Sequence, residues 1–320
     1  MRILSSAGYE EEMKTIVLPA LAPIHSSGIM PVEEAPEGEG IYYDRYETPN
    51  AKAAIVVSHG FSENAEKLKE VIYYMVESGY RVYAVDHRGH GRSFRQSHHP
   101  NLANIRAFDD YVEDLHRFVS LIVKTETELP LFIYGHSMGG AIAASLIEKY
   151  PHEFKKAVLS SPMLKLLLPV PEWATVFISG LKILTGKGDT FGPGQRPYEG
   201  LEEFEASSSS NEARFNYYQK IKAARSEFQI SATSFAWIHH SVRAIKKIRS
   251  KAACSKVCIP VLILRCREDA LIDPAGPDEF AANTPKTVVL DFDECRHEIY
   301  NSDDDVLSRY YEEIFRFLAD

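Results

Sequence analysis

The sequence predicts an α/β fold, with a mostly parallel central sheet flanked by helices and an inserted helical cap. Short β-branched runs at 53–58, 81–86, 131–134, 157–160, 257–264 and 287–290 alternate with helix-like stretches. These runs are continuously apolar rather than alternating, which is the pattern of strands covered on both faces and therefore paired mostly in parallel. Between Pro162 and about Lys251 the strand rhythm stops and helical patches take over, broken by Gly-Pro-Gly at 192–194.

Taken in order, residues 40–49 have the alternating, Tyr-rich look of an antiparallel hairpin or edge strand. Phe108, Tyr111, Val112, Leu115, Phe118, Val119 and Ile122 form one apolar stripe opposite Asp109, Asp110, Glu113 and Asp114, as in a helix lying on a sheet. Within the insertion, 171–184 sets Trp173, Phe177, Leu181 and Leu184 at helical spacing, and Phe235, Ile238, Val242 and Ile245 repeat the pattern. Both stripes read as core of the cap ahead of substrate wall. Lys246, Lys247, Arg249 and Lys251 follow the second stripe as a solvated helix end, whose cations oppose the helix dipole. The sharper reading of the same run is a membrane-facing patch. Leu307, Tyr310, Tyr311, Ile314 and Leu318 form a last helical stripe after a Ser302/Asp303 cap signal. The division is then 1–161 for the first part of the core, 162–251 for the cap and 252–320 for the second part.

The 320 residues are 45% apolar and 25% charged, values of an ordinary soluble globular protein. A formal charge of -9 argues against nucleic acid, which needs a concentrated basic surface. Glu10, Glu11 and Glu12 stand where a secretory signal needs an unbroken apolar stretch, and no run approaches membrane-spanning length, so the expectation is a cytoplasmic protein. Cys254, Cys258, Cys266 and Cys295 lack paired spacing and read as free thiols rather than a zinc site.

The chemistry is carried by Gly135-His-Ser-Met-Gly-Gly140, a G-x-S-x-G pattern placed directly after a strand and before a good helix former. On so tight a turn Gly135 and Gly139 let the backbones approach, and Ser137 is lifted above the sheet edge as a nucleophile. A serine hydroxyl needs a base oriented by a carboxylate, and in this strand-turn-helix setting the chain order is Ser, then Asp or Glu, then His. Asp269 follows the run ending near Leu264, and His297 follows the last strand, so both fit in order and place. Glu268 and Asp273 flank Asp269 as competing acids. His239 and His240 precede the acid, which counts against them. Two fixed N–H donors are expected for the oxyanion: Met138, after the nucleophile, and Phe61, in the loop that ends the first apolar run in His59-Gly60. His59 precedes Ser137 and reads as support for that loop.

The set Ser58-His-Gly-Phe-Ser-Glu63, Asp86-His-Arg-Gly-His-Gly-Arg-Ser93, Phe108-Asp-Asp-Tyr-Val-Glu-Asp-Leu115, the serine turn and Arg296-His-Glu-Ile-Tyr-Asn301 resembles the bacterial lysophospholipase and monoacylglycerol lipase group of α/β-hydrolases. It spans the chain from about residue 40 to its end. The resemblance implies the α/β-hydrolase fold, Ser137, Asp269 and His297 as triad, Phe61 and Met138 as oxyanion donors, and no metal or cofactor. Cys266-Arg-Glu-Asp269 departs from it, because the group usually carries a glycine two residues before the acid, and Glu268 stays in reserve. The expected substrate is a lipid ester with one long acyl chain, a lysophospholipid slightly ahead of a monoacylglycerol, cleaved with water. Leu166, Leu167, Leu168, Trp173, Val176 and Phe177 would line an acyl tunnel, and peripheral membrane contact through the cap goes with it. The alternatives are a short-chain carboxylesterase, a proline-type aminopeptidase and an inactive binding protein.

Overall fold

The computed structural model describes residues 1–319. The strands are β1 His25–Pro31, β2 Gly40–Tyr46, β3 Ala53–Ser58, β4 Tyr80–Val85, the two-residue β5 Leu102–Ala103, and β6 Leu131–His136. They continue with β7 Lys156–Ser160, the two-residue β8 Ala232–Thr233, β9 Val261–Cys266 and β10 Thr287–Phe292. Eight form one sheet in the order β1-β2-β4-β3-β6-β7-β9-β10, and β5 pairs with β8 apart from it. Pairing is antiparallel for β1 with β2 and for β2 with β4, and parallel from β4 onward. The Tyr-rich stretch is therefore β2, flanked on one side by a β1 that the sequence reading did not single out.

The continuous apolar runs are explained by two cores, one on each face of the sheet. Ala54 and Val56 of β3 point into one, and Ala53, Ile55 and Val57 into the other. In β6, Leu131 and Ile133 divide from Phe132 and Tyr134 in the same way. Side chains alternate along a strand, so covering both faces requires every position to be apolar. Helix Asp109–Phe118, extended by a wide helical turn at Val119–Val123, and helix Met138–Lys149 close the first face. Helices Lys69–Glu77 and Asp304–Ala319 close the second. The strand expected at 257–264 begins at Val261 instead, after Pro260, a residue with no N–H to give a sheet ladder.

Between β7 and β9 no strand of the main sheet occurs, and the chain forms helices Glu172–Leu184, Glu212–Ala224 and Phe235–Ile248. The second stripe is internal, with Phe235, Val242 and Ile245 buried and Ile238 partly so. The first is not the core of the cap: Trp173 is 73%, Phe177 67% and Leu184 85% exposed, and Leu181 is exposed as well. The helix instead turns its small residues inward. Ser179 is buried, and a Cβ on Gly180 would stand 3.1 Å from the His239 ring. Nor is the basic run uniformly solvated, because Arg249 is buried. It donates to the Leu164 carbonyl and pairs with Glu172 and Glu279, tying the end of the third cap helix to the core.

Candidate active site

Ser137, Asp269 and His297 all lie just beyond the C-terminal ends of parallel strands, β6, β9 and β10, where an open α/β sheet places its ligands. Ser137 joins β6 to helix Met138–Lys149 with φ 51° and ψ −116°, a left-handed conformation that costs a non-glycine residue energy. Neighbours hold it there: its N–H donates to the Ser160 carbonyl at 3.0 Å, and its carbonyl accepts from Met163 at 2.9 Å. A Cβ on Gly139 would stand 2.1 Å from the Ser58 carbonyl oxygen, and one on Gly135 2.6 Å from that of Gly139. Both glycines are demanded by close backbone approach, as the motif requires.

The three side chains form one relay. His297 Nε2 lies 2.8 Å from Ser137 Oγ, and His297 Nδ1 lies 2.6 Å from Asp269 Oδ2. Asp269 Oδ1 accepts from the amides of Leu271 and Ile272 at 2.8 and 3.0 Å. Burial pushes this carboxyl up, but the hydrogen bond and charge of His297, with the two amides, bring it below the usual carboxylate range. An ionised Asp269 fixes the Nδ1–H tautomer and leaves Nε2 to accept the serine proton. The competing residues lie elsewhere. Asp273 pairs with Lys165 at 2.9 Å, Glu268 is exposed at the edge of a surface cleft, and His239 bonds to the Val176 carbonyl inside the cap. His240 is half-buried beside it.

Helix Met138–Lys149 begins one residue after Ser137, so the Met138 amide has no acceptor within it. Among the described residues no protein acceptor takes the amide of Phe61 either. The Phe61 loop is held by His59, whose Nδ1 donates to the Gly60 carbonyl at 2.7 Å and whose Nε2 accepts from the His87 amide at 2.9 Å. Burial lowers the His59 ring to about 4, so it is neutral and serves as support.

Two residues that the sequence reading gave no role stand beneath this site. Glu63 Oε2 accepts from the Gly60 amide at 2.6 Å and pairs with His136 Nδ1 at 3.0 Å, while Oε1 accepts from the Tyr300 hydroxyl. Burial opposes ionisation of Glu63, yet His136 and Lys67 hold it well below the usual range; burial likewise opposes charging His136, and Glu63 raises it. This buried ion pair joins the loop of Phe61 to the residue preceding Ser137. Both members sit inside the sequence motifs at 58–63 and 135–140. The other motifs are structural in the same sense: Arg88 makes a two-pronged bond to Asp114 at 2.6 and 2.8 Å, and Asp86 accepts from the Ala65 and Arg92 amides.

An apolar cleft of about 270 Å³ runs between Leu166, Val170, Ile178, Phe235, Trp237 and Val242. Trp237, in its wall, packs its ring 5.3 Å from that of Phe61. A polar pocket of about 140 Å³ lies on the other side, with Ser62, Lys67, Tyr218, Lys222, Glu202 and Glu298 in its wall. Larger clefts exist elsewhere on the surface; the polar pocket contains Ser62 and Glu298, the sequence neighbours of Phe61 and His297.

A serine on such a turn, after a parallel strand and before a helix, is the mark of an α/β-hydrolase. The family model Hydrolase_4, described as serine aminopeptidase, S33, matches residues 49–304. The chain belongs to that family. Among curated relatives, this hydrolase is 28% identical over 269 residues to the Haemophilus influenzae protein named "Probable lysophospholipase L2", covering 82% of this chain and 83% of that one. It is 36% identical over 127 residues to the monoacylglycerol lipase of Mycolicibacterium smegmatis, covering 39% of this chain and 43% of the relative. A soluble variant of monoglyceride lipase from Saccharomyces cerevisiae, solved with a substrate analog, superposes with a TM-score of 0.69 at 19% identity, over 92% of this hydrolase and 96% of that chain. At that identity the superposition bears on the fold alone.

Proposed function

We propose that this hydrolase cleaves the carboxylic ester of a single-chain lipid through a Ser137 acyl-enzyme. The observation that carries the proposal is the unbroken relay from Ser137 Oγ through His297 to Asp269, at 2.8 and 2.6 Å. His297 Nε2 takes the hydroxyl proton as Oγ attacks the ester carbonyl. The developing oxyanion is met by the Phe61 and Met138 amides. Collapse breaks the ester C–O bond, and the alcohol leaves with the proton from His297. Water, deprotonated by His297 in turn, releases the fatty acid and restores Ser137.

The substrate class is supported by the apolar cleft and by the names of the relatives. Each buried methylene contributes about 0.8 kcal/mol, so an acyl chain in the cleft is held largely by its tail. On the other side Lys67 is paired with Glu298 and Lys222 with Glu202, so the polar pocket favours a hydroxylated head group over one needing a free cation. Val170 and Ile178 line the cleft and are also exposed, next to the exposed stripe of the first cap helix, an arrangement suited to drawing a lipid from a bilayer surface. Among the described residues no helix is long and apolar enough to cross a membrane.

A fluorophosphonate probe should label the native protein and not Ser137→Ala. Long-chain monoacylglycerols and lysophospholipids should then exceed acetyl and butyryl esters, and a proline amide, in kcat/KM. Equal labelling of Ser137→Ala overturns the mechanism, and faster cleavage of the short ester or the amide overturns the substrate class.

A further inference from the structure

A separate cleft of about 370 Å³ opens where the C-terminal half of helix Met138–Lys149 meets the end of helix Phe235–Ile248. It shares no lining residue with the apolar cleft between Leu166 and Trp237. Phe108, Ala244, Ile248 and Ala253 give it apolar walls. Glu148 also lines it, only 7% exposed, with Oε1 buried and without a hydrogen-bond partner. A buried carboxyl left unsatisfied destabilises the fold, more so if charged, and an apolar side chain would pack there without that cost. The packing of the helices therefore gives no reason for a carboxyl at this place.

The charges around Glu148 define what would complete it. Lys149 is already committed to Asp109 and Glu113, each at 2.7 Å. Lys247 and Lys256 line the cleft and form no ion pair among the described residues. Burial pushes the Glu148 carboxyl up to about 8, against the pull of those two lysines, so near neutral pH it is protonated and able to donate. Cys254, whose thiol burial and the nearby Glu148 push up to about 11, completes the titratable groups facing it. Two uncommitted cations and one carboxylic acid donor above apolar walls match a monovalent anion with an apolar body. A divalent anion would set a second negative charge against Asp109.

We propose that this cleft binds a small carboxylate with a short alkyl body, held by Lys247 and Lys256 and by a hydrogen bond from the Glu148 carboxyl. The bound anion keeps the proton on Glu148, so affinity declines once the solution pH rises through the range in which that group ionises. The cleft spans the two helices whose opposite ends carry Ser137 and Trp237, and it is distinct from both the acyl cleft and the polar pocket.

Calorimetric titration of the full chain with hexanoate, inorganic phosphate and hexylammonium tests this. Hexanoate should bind at neutral pH, Lys247→Ala/Lys256→Ala should weaken it at least about tenfold while leaving hydrolysis of a soluble ester unchanged, and the other two probes should bind more weakly. Glu148→Gln, which keeps a neutral donor, should bind hexanoate at neutral pH and lose the decline that the native protein shows near pH 9. Undiminished hexanoate binding by the double lysine variant would place the ligand in the acyl cleft and overturn the proposal. So would phosphate or hexylammonium binding more tightly than hexanoate, or the same pH dependence in Glu148→Gln.

Discussion

Glu63 and His136 show how much of the site rests on side chains that do not touch the reacting atoms. The pair is buried at 3.0 Å and links the Phe61 loop to the turn at Ser137. Glu63 titrates lower in the folded protein, so its contribution is present above its unfolded value of about 4.3 and is lost as pH falls through the folded one. His136 titrates higher, so its contribution is complete below about 6.5 and is lost as pH rises through its folded value. Glu63→Gln should therefore lose most stability, relative to the native protein, between about pH 4.5 and 6.5, with the difference narrowing on either side. Urea unfolding across that range checks it, and a pH-independent difference would show that the pair is not ionised.

At the scale of the element, the cap helix Glu172–Leu184 is the informative one. Its stripe of Trp173, Phe177, Leu181 and Leu184 was legible as a helix, but its rotation was not. An apolar stripe reports periodicity, whereas the face that is buried depends on the partner, here one that takes Ser179 and Gly180 against His239. A contiguous exposed apolar face marks a contact surface. Phe177→Ser combined with Leu181→Ser should reduce sedimentation with phosphatidylcholine vesicles severalfold and leave turnover of a water-soluble ester unchanged. Equal vesicle binding by the variant would remove the lipid surface as the occupant of that face.

The molecule as a whole is drawn together by Arg214, whose side chain is 0% exposed. It bonds to Glu70, to Ser6, to Asp304 and to the Leu4 carbonyl, and so joins the cap to the N-terminal segment, a core helix and the last helix. Its guanidinium also lies over the Tyr9 ring at 4.9 Å. Breaking a buried ion pair by removing one partner costs about 3–5 kcal/mol, because the other charge is stranded. Arg214→Met should lower unfolding stability by that amount, and a loss below about 1 kcal/mol would mean that the apolar contacts of the N-terminal segment alone dock it.

The parallel sheet, the turn around Ser137 and the order Ser137, Asp269, His297 were legible because each is a local or sequential property. Apolar runs encode burial on both faces, and a close-packed turn must be spelled with glycines. The N-terminal segment carried a usable signal too, since Tyr9, Met13, Val17 and Leu21 recur every fourth residue and all are buried. That Asp269, and neither Glu268 nor Asp273, meets His297 is visible only in the structure. The same holds for the burial of Arg249, the pairing of Glu63 with His136 and the unpartnered carboxyl of Glu148. Each depends on which residues, far apart in the chain, the packing brings within a few ångströms, and no periodicity or spacing along one strand or helix carries that information.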